Sequence, residues 1–136
     1  MPHVFRGPTW SVELPEGWTA APTGDCVEIL PPLPGAELRI TPYLDETGRL
    51  SVGEWLRAAE HFTRKHGRPV IARRCGDFAG HETRFETGGF WIRGWALLSH
   101  NEGLDVNYRC AIADAGRDDP AVDVVLSTLR FRRPAT

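Results

Sequence analysis

The sequence predicts an α+β fold in which an antiparallel β-sheet is layered with helices. Three observations predict it. Runs with period-two apolar alternation are separated by short breaks that carry glycine or proline. One stretch, Ser51 to His66, repeats its apolar residues at helical spacing between clear start and stop residues. A second helical stripe follows Asp119-Pro120. Hairpin-length breaks between the later strands speak against the parallel sheet of nucleotide-binding folds. A chain of 136 residues is expected to form one domain, residues 1–136. At this length folding removes roughly two-thirds of the unfolded surface from water, so a core can form without disulfides or metal.

The elements follow in order. Trp10, Val12 and Leu14 alternate with Ser11 and Glu13, the pattern of a half-buried strand, and Pro15-Glu16-Gly17 supplies a tight turn. Cys26–Leu30 and Ala36–Tyr43 read as strands joined by Pro31-Pro32-Leu33-Pro34-Gly35, which cannot be helical. Pro42, which lacks an amide hydrogen, predicts a sheet edge for the second of them. In the helix Ser51–His66, Ser51 and Glu54 form a capping box and Val52, Trp55, Leu56, Ala59 and Phe62 form the apolar stripe. Arg64, Lys65 and His66 suit the negative end of its dipole, and Gly67 and Pro69 stop it.

Val70–Phe78, Gly80–Thr87, Phe90–His100 and Leu104–Ala113 then read as four strands. Their breaks fall at Ala79-Gly80, Gly88-Gly89 and Asn101-Glu102-Gly103. In the last strand Leu104, Val106, Tyr108, Cys110 and Ile112 share an apolar face opposite Asp105, Asn107 and Arg109. Asp119 reads as an N-cap before Pro120, with Val122, Val125, Leu126 and Leu129 as the stripe of a short closing helix. Arg130 to Pro134 reads as a frayed end.

Composition excludes several classes. A hydrophobic fraction of 41% with 25% charged residues is that of a globular domain, not of a disordered, collagen-like or membrane chain. Sixteen basic against 18 acidic residues leave a net charge of −2, which offers no field for nucleic acid or anionic lipid. Cys26, Cys75 and Cys110 are odd in number and lack metal spacing, so reduced core thiols are expected. The stretch from Met1 to Arg6 lacks the features of a signal peptide and no run is long enough to span a bilayer, which makes a cytoplasmic location the expectation.

The segment Trp10-Ser11-Val12-Glu13-Leu14-Pro15-Glu16-Gly17-Trp18 resembles the "strand, Pro-x-Gly-Trp" opening of the Mog1/PsbP-like superfamily. Ser51–His66, Phe78-Ala79-Gly80-His81 and Ser127-Thr128-Leu129-Arg130-Phe131 occupy the places of that superfamily's mid-chain helix, strand-Gly-strand hairpin and closing segment. His81 stands where small residues or proline are commoner in the relatives. The resemblance implies a Mog1/PsbP-like sandwich and a non-enzymatic role in binding a protein partner. Relatives include a photosystem accessory subunit, a Ran-binding protein and bacterial adaptors for secreted toxins, so an adaptor or immunity-type protein of a secretion or toxin system is the concrete expectation. No catalytic residues carry over, and no cofactor is implied.

Phe90-Trp91-Ile92-Arg93-Gly94-Trp95 is the most unusual stretch. As a strand it places Trp91, Arg93, Trp95 and Leu97 on one face and Phe90, Ile92, Ala96 and Leu98 on the other, so both faces need cover. Trp91, Arg93 and Trp95 are therefore the candidate partner-binding residues, Trp and Arg being common anchors of interfaces, with a central strand between layers as the competing explanation. A rival expectation is a pocket for a small apolar ligand, as in carriers or isomerase-like enzymes. It would lie beneath the helix Ser51–His66, be lined by Trp55, Phe62, Trp91 and Tyr108, and be favoured by a polar group such as His100 or Asp105 inside it. A third is a homodimer that uses the Pro42 strand or the Trp face. The five histidines show neither HxH nor HExxH spacing, so no metal site is expected.

Overall fold

The structure is a computed structural model that describes residues 2–43 and 51–133. Its strands are β1 (His3–Arg6), β2 (Trp10–Leu14), β3 (Thr19–Thr23), β4 (Cys26–Leu30), β5 (Ala36–Tyr43), β6 (Ile71–Cys75), β7 (Phe78–Thr87), β8 (Phe90–Ser99), β9 (Glu102–Ala111) and β10 (Arg130–Phe131). Helix α1 (Val52–Lys65) separates β5 from β6, and α2 (Asp119–Ser127) separates β9 from β10. The strands form a small sheet in the order β1-β2-β10 and a large one in the order β3-β4-β5-β9-β8-β7-β6, every pairing antiparallel.

Alternation along the strands decides which face becomes the core. Leu38 and Ile40 of β5, Trp95 and Leu97 of β8, and Leu104, Val106, Tyr108 and Cys110 of β9 are all buried on one face of the large sheet. Trp10, Val12 and Leu14 of β2 join the same cluster, as do Val122, Val125 and Leu126 of α2. This inner face is closed by α2 and the small sheet. Helix α1 lies against β7, β8 and β9 on the other, outer face. No helix among the described residues is long and apolar enough to cross a membrane.

The helix expected at Ser51–His66 is present, and half of the expected capping box forms: Ser51 Oγ accepts from the Glu54 amide at 3.1 Å, the Glu54 carboxylate returns no bond among the described residues, and His66 caps the other end. Several boundaries differ from the sequence expectation. The break placed at Ala79-Gly80 falls instead at Gly76-Asp77, because Gly76 adopts a φ of +62° and the Asp77 amide donates to the Leu129 carbonyl at 2.9 Å. Gly80 lies inside β7 for a different reason. A side chain there would collide with the backbone carbonyl of Ala96 on β8. Strand β9 ends at Ala111, and Ile112–Asp114 turn as a short 3-10 helix.

The strand with Pro42 is not an edge strand, since β5 runs between β4 and β9. Its register with β4 covers only Leu38 to Ile40, so Pro42 lies past the end of that neighbour and pairs on the β9 side alone, opposite Leu104. The N-cap of α2 is Asp118 rather than Asp119. Arg130 and Phe131 do not fray: they pair with Ser11 and Trp10 as β10. Strands β1 and β3 were not expected from the sequence.

Candidate functional site

Side-chain parity places Trp91, Arg93 and Trp95 on the inner face, and the structure covers that face. Arg93 is 0% exposed and Trp95 is buried beneath it, with the guanidinium 4.7 Å from the indole centroid. Arg93 Nε donates to Glu82 Oε2 at 2.8 Å and its Nη2 to Glu82 Oε1 at 3.2 Å. From α2, Asp119 accepts from Nη1 at 3.2 Å and Asp123 from Nη2 at 2.7 Å. Glu82 also accepts from Arg73 Nε and Arg84 Nε at 2.9 and 2.7 Å. The three guanidinium partners hold its carboxyl down at about 2 against the opposing effect of burial. A charge without water requires such partners. This stretch therefore pins α2 to the sheet, and Arg93 and Trp95 offer no open docking face.

The four residues expected to line an apolar pocket are not brought together. Trp91 and Tyr108 belong to the inner face, where Tyr108 donates its hydroxyl to Asp118 at 2.6 Å. Trp55 and Phe62 belong to α1 on the outer face. The sheet stands between the two pairs. His100 stacks on Phe131 at 4.2 Å, away from both. Of the three expected core thiols, Cys75 and Cys110 are buried, and burial raises the pKa of Cys75 to about 11, whereas Cys26 is only partly covered and donates to the Thr23 carbonyl at 3.3 Å.

A groove does exist beneath α1, with other walls. The first turns of helix α1 are anchored by the Trp55 ring, which stacks on Tyr43 at 4.8 Å and passes over Gly103. Thr63 is its one buried residue, and Phe62 is 53% exposed. Below this second half of the helix, strand register builds the floor. His81, Ala96 and Asp105 stand side by side in one row across β7, β8 and β9, and Thr83, Gly94 and Asn107 form the next row. The central strand thus supplies only Gly94 and Ala96, flanked on both sides by polar residues. A strand spacing near 4.8 Å puts His81 and Asp105 about 10 Å apart at their backbones. The resulting groove has a volume of about 260 Å³.

Its polar groups are poorly matched within the protein. His81 is 7% exposed, lines this groove and a second one of about 250 Å³ on the other flank of α1, and has no hydrogen-bond partner among the described residues. Burial lowers its pKa, opposed by Glu60 and reinforced by Arg64, so the imidazole is neutral at pH 7. The Thr83 hydroxyl is buried without a partner among the described residues. Asp105 accepts one bond, from Asn107 Nδ2 at 3.2 Å. Water reaches it, yet the groove walls crowd it and raise its pKa. At the mouth the Arg68 guanidinium lies 3.7 Å above the Phe85 ring. Asp105 is the polar group the rival expectation named, whereas the sequence assigned no site role to His81 or Thr83. Only their register with Gly94 and Ala96 could have signalled them.

No protein-family model matches the sequence, and no curated protein matches it. Solved structures match the fold. A crystal structure from Bacteroides thetaiotaomicron gives a TM-score of 0.66 at 15% identity, covering 96% of this chain and 48% of that one, so the chain spans about half of that protein's length. LpqN, a Mycobacterium tuberculosis protein involved in cell envelope biogenesis, gives 0.59 at 13%, covering 98% of this chain and 85% of its own. The solution structure of cyanobacterial PsbP (CyanoP) from Synechocystis gives 0.57 at 11%, covering 96% and 92%. Likeness at such identities concerns the fold alone. The chain has the PsbP/Mog1-like fold that its Trp10–Trp18 opening resembles.

Proposed function

We propose that the chain is a non-enzymatic binding protein that holds a small molecule in the groove between α1 and the outer face of the large sheet. The observation that carries this reading is the pairing of rows: Gly94 and Ala96 leave space between His81 and Thr83, which are removed from water without a hydrogen-bond partner among the described residues, and the water-accessible Asp105 and Asn107. A groove of about 260 Å³ suits one ring with a short arm. The adaptor reading keeps one supporting feature, the part of the outer face that α1 leaves open around Phe90, Ile92 and Arg109, where Phe90 is 40% exposed. A cytoplasmic location remains part of the proposal.

The test is an NMR titration of the ¹⁵N-labelled protein with a library of single-ring fragments. The amides of Gly94, Ala96, Asp105 and Asn107 are expected to shift together. A library that leaves all four unmoved at millimolar concentration overturns the reading.

A further inference from the structure

We infer that the groove selects a small organic cation, an amine on an apolar body, whose ammonium group meets Asp105 while its body lies on Gly94 and Ala96 beneath Phe62. This inference rests on the groove reading above and adds the class of ligand.

Four observations carry it. Asp105 stands on the groove floor, and its one hydrogen bond among the described residues comes from Asn107, a neutral amide on its own strand. Among the described residues no Arg or Lys pairs with it. Arg109 bonds Glu37 at 3.1 Å, and Arg68, which also lines the groove, lies over the Phe85 ring and forms no ion pair with Asp105 among the described residues. Across the floor His81 lines the groove and is neutral, so it carries a nitrogen lone pair and an N–H and does not repel a cation. An ammonium donor would give Asp105 a charge-assisted bond, stronger than the neutral one it accepts from Asn107. An anion would face an uncompensated carboxylate in the same place. The floor itself favours a flat apolar body. Glycine and alanine at the centre leave room for a ring, and the half-exposed Phe62 can close over it.

The experiment compares three probes with one body: 2-phenylethylamine, 2-phenylethanol and phenylacetate. Each is titrated into the wild-type protein and into Asp105→Asn, with amide shifts at Gly94, Ala96 and Asn107 as the readout. The amine is expected to bind at least about tenfold more tightly than the alcohol, the gain of one charge-assisted contact, with phenylacetate weakest. Asp105→Asn should remove that advantage while leaving the alcohol's affinity within about twofold, which also shows that the variant is folded. If the alcohol or phenylacetate binds as well as the amine, or if the amine binds Asp105→Asn undiminished, the cation assignment is overturned and the groove reading stands. If none of the three moves the floor amides while the wider fragment library does, again only the ligand class is lost. If the library also fails, both fall.

Discussion

Glu82 shows how one side chain can be charged and stable without water. Three guanidinium groups surround it, and Arg93 passes the connection on to Asp119 and Asp123. Removing Arg93 alone would leave a buried carboxylate and two carboxylates of α2 without their shared cation. Arg93→Ala is expected to cost about 3–5 kcal/mol in urea denaturation, the usual effect of breaking rather than replacing a buried pair. The same cluster sets a pH dependence. Glu82 binds its proton less readily in the folded state, near 2, than in the unfolded chain, near 4.5. Its contribution is therefore complete above about pH 4.5 and fades as the pH falls toward 2. Denaturant midpoints across that window should drop steeply for the wild type and more shallowly for Glu82→Gln. Parity alone placed Trp91, Arg93 and Trp95 on one face. That α2 would bring carboxylates to cover them depends on a segment some thirty residues on, as in the Arg93–Asp123 bond, which no local pattern reveals.

At the scale of elements, what the sequence revealed follows how local the cause is. Helix α1 announces itself through Ser51, Glu54 and Gly67 because its caps act within one turn. The β6–β7 turn was displaced because Gly76 and Gly80 look alike in sequence and serve opposite ends: one allows a left-handed backbone, the other a close approach of two strands. Gly76→Ala would combine an unfavourable φ with a collision against the Leu129 carbonyl. A loss of about 2 kcal/mol or more is expected by chemical denaturation. Strands β3 and β10 exist because β4 and β2 offer them unpaired edges. Thr19–Thr23 and Arg130–Phe131 carry little strand pattern of their own.

For the whole molecule, the two faces of the large sheet do different work. The inner face holds the apolar cluster, both tryptophans of the opening segment and the ion cluster. The outer face carries α1 on few buried groups, chiefly Thr63 and the Trp55–Tyr43 stack. Local opening should follow this division. Amides of α1 are expected to exchange hydrogen through openings that cost less than global unfolding, while those of β8 and β9 exchange only with the whole fold. Native-state hydrogen exchange across a denaturant series checks this, and α1 protection equal to that of β9 would contradict it. The fold class was legible from alternation and caps. The groove was not, since it arises from which residues three strands place in one row.

The pairing of β10 with β2 also bears on how the chain is made. Arg130 and Phe131 reach back to Ser11 and Trp10, so the small sheet joins segments from opposite ends of the described chain. During synthesis β2 leaves the ribosome well before α2, and Trp10, Val12 and Leu14 wait without Val122, Val125 and Leu126 until nearly all of the described chain has emerged. Contacts of such long sequence separation form slowly, and an uncovered apolar strand invites association with other chains. Residues 119–131 thus act as a delayed clasp. The time they take to arrive sets how long each new molecule is exposed to aggregation.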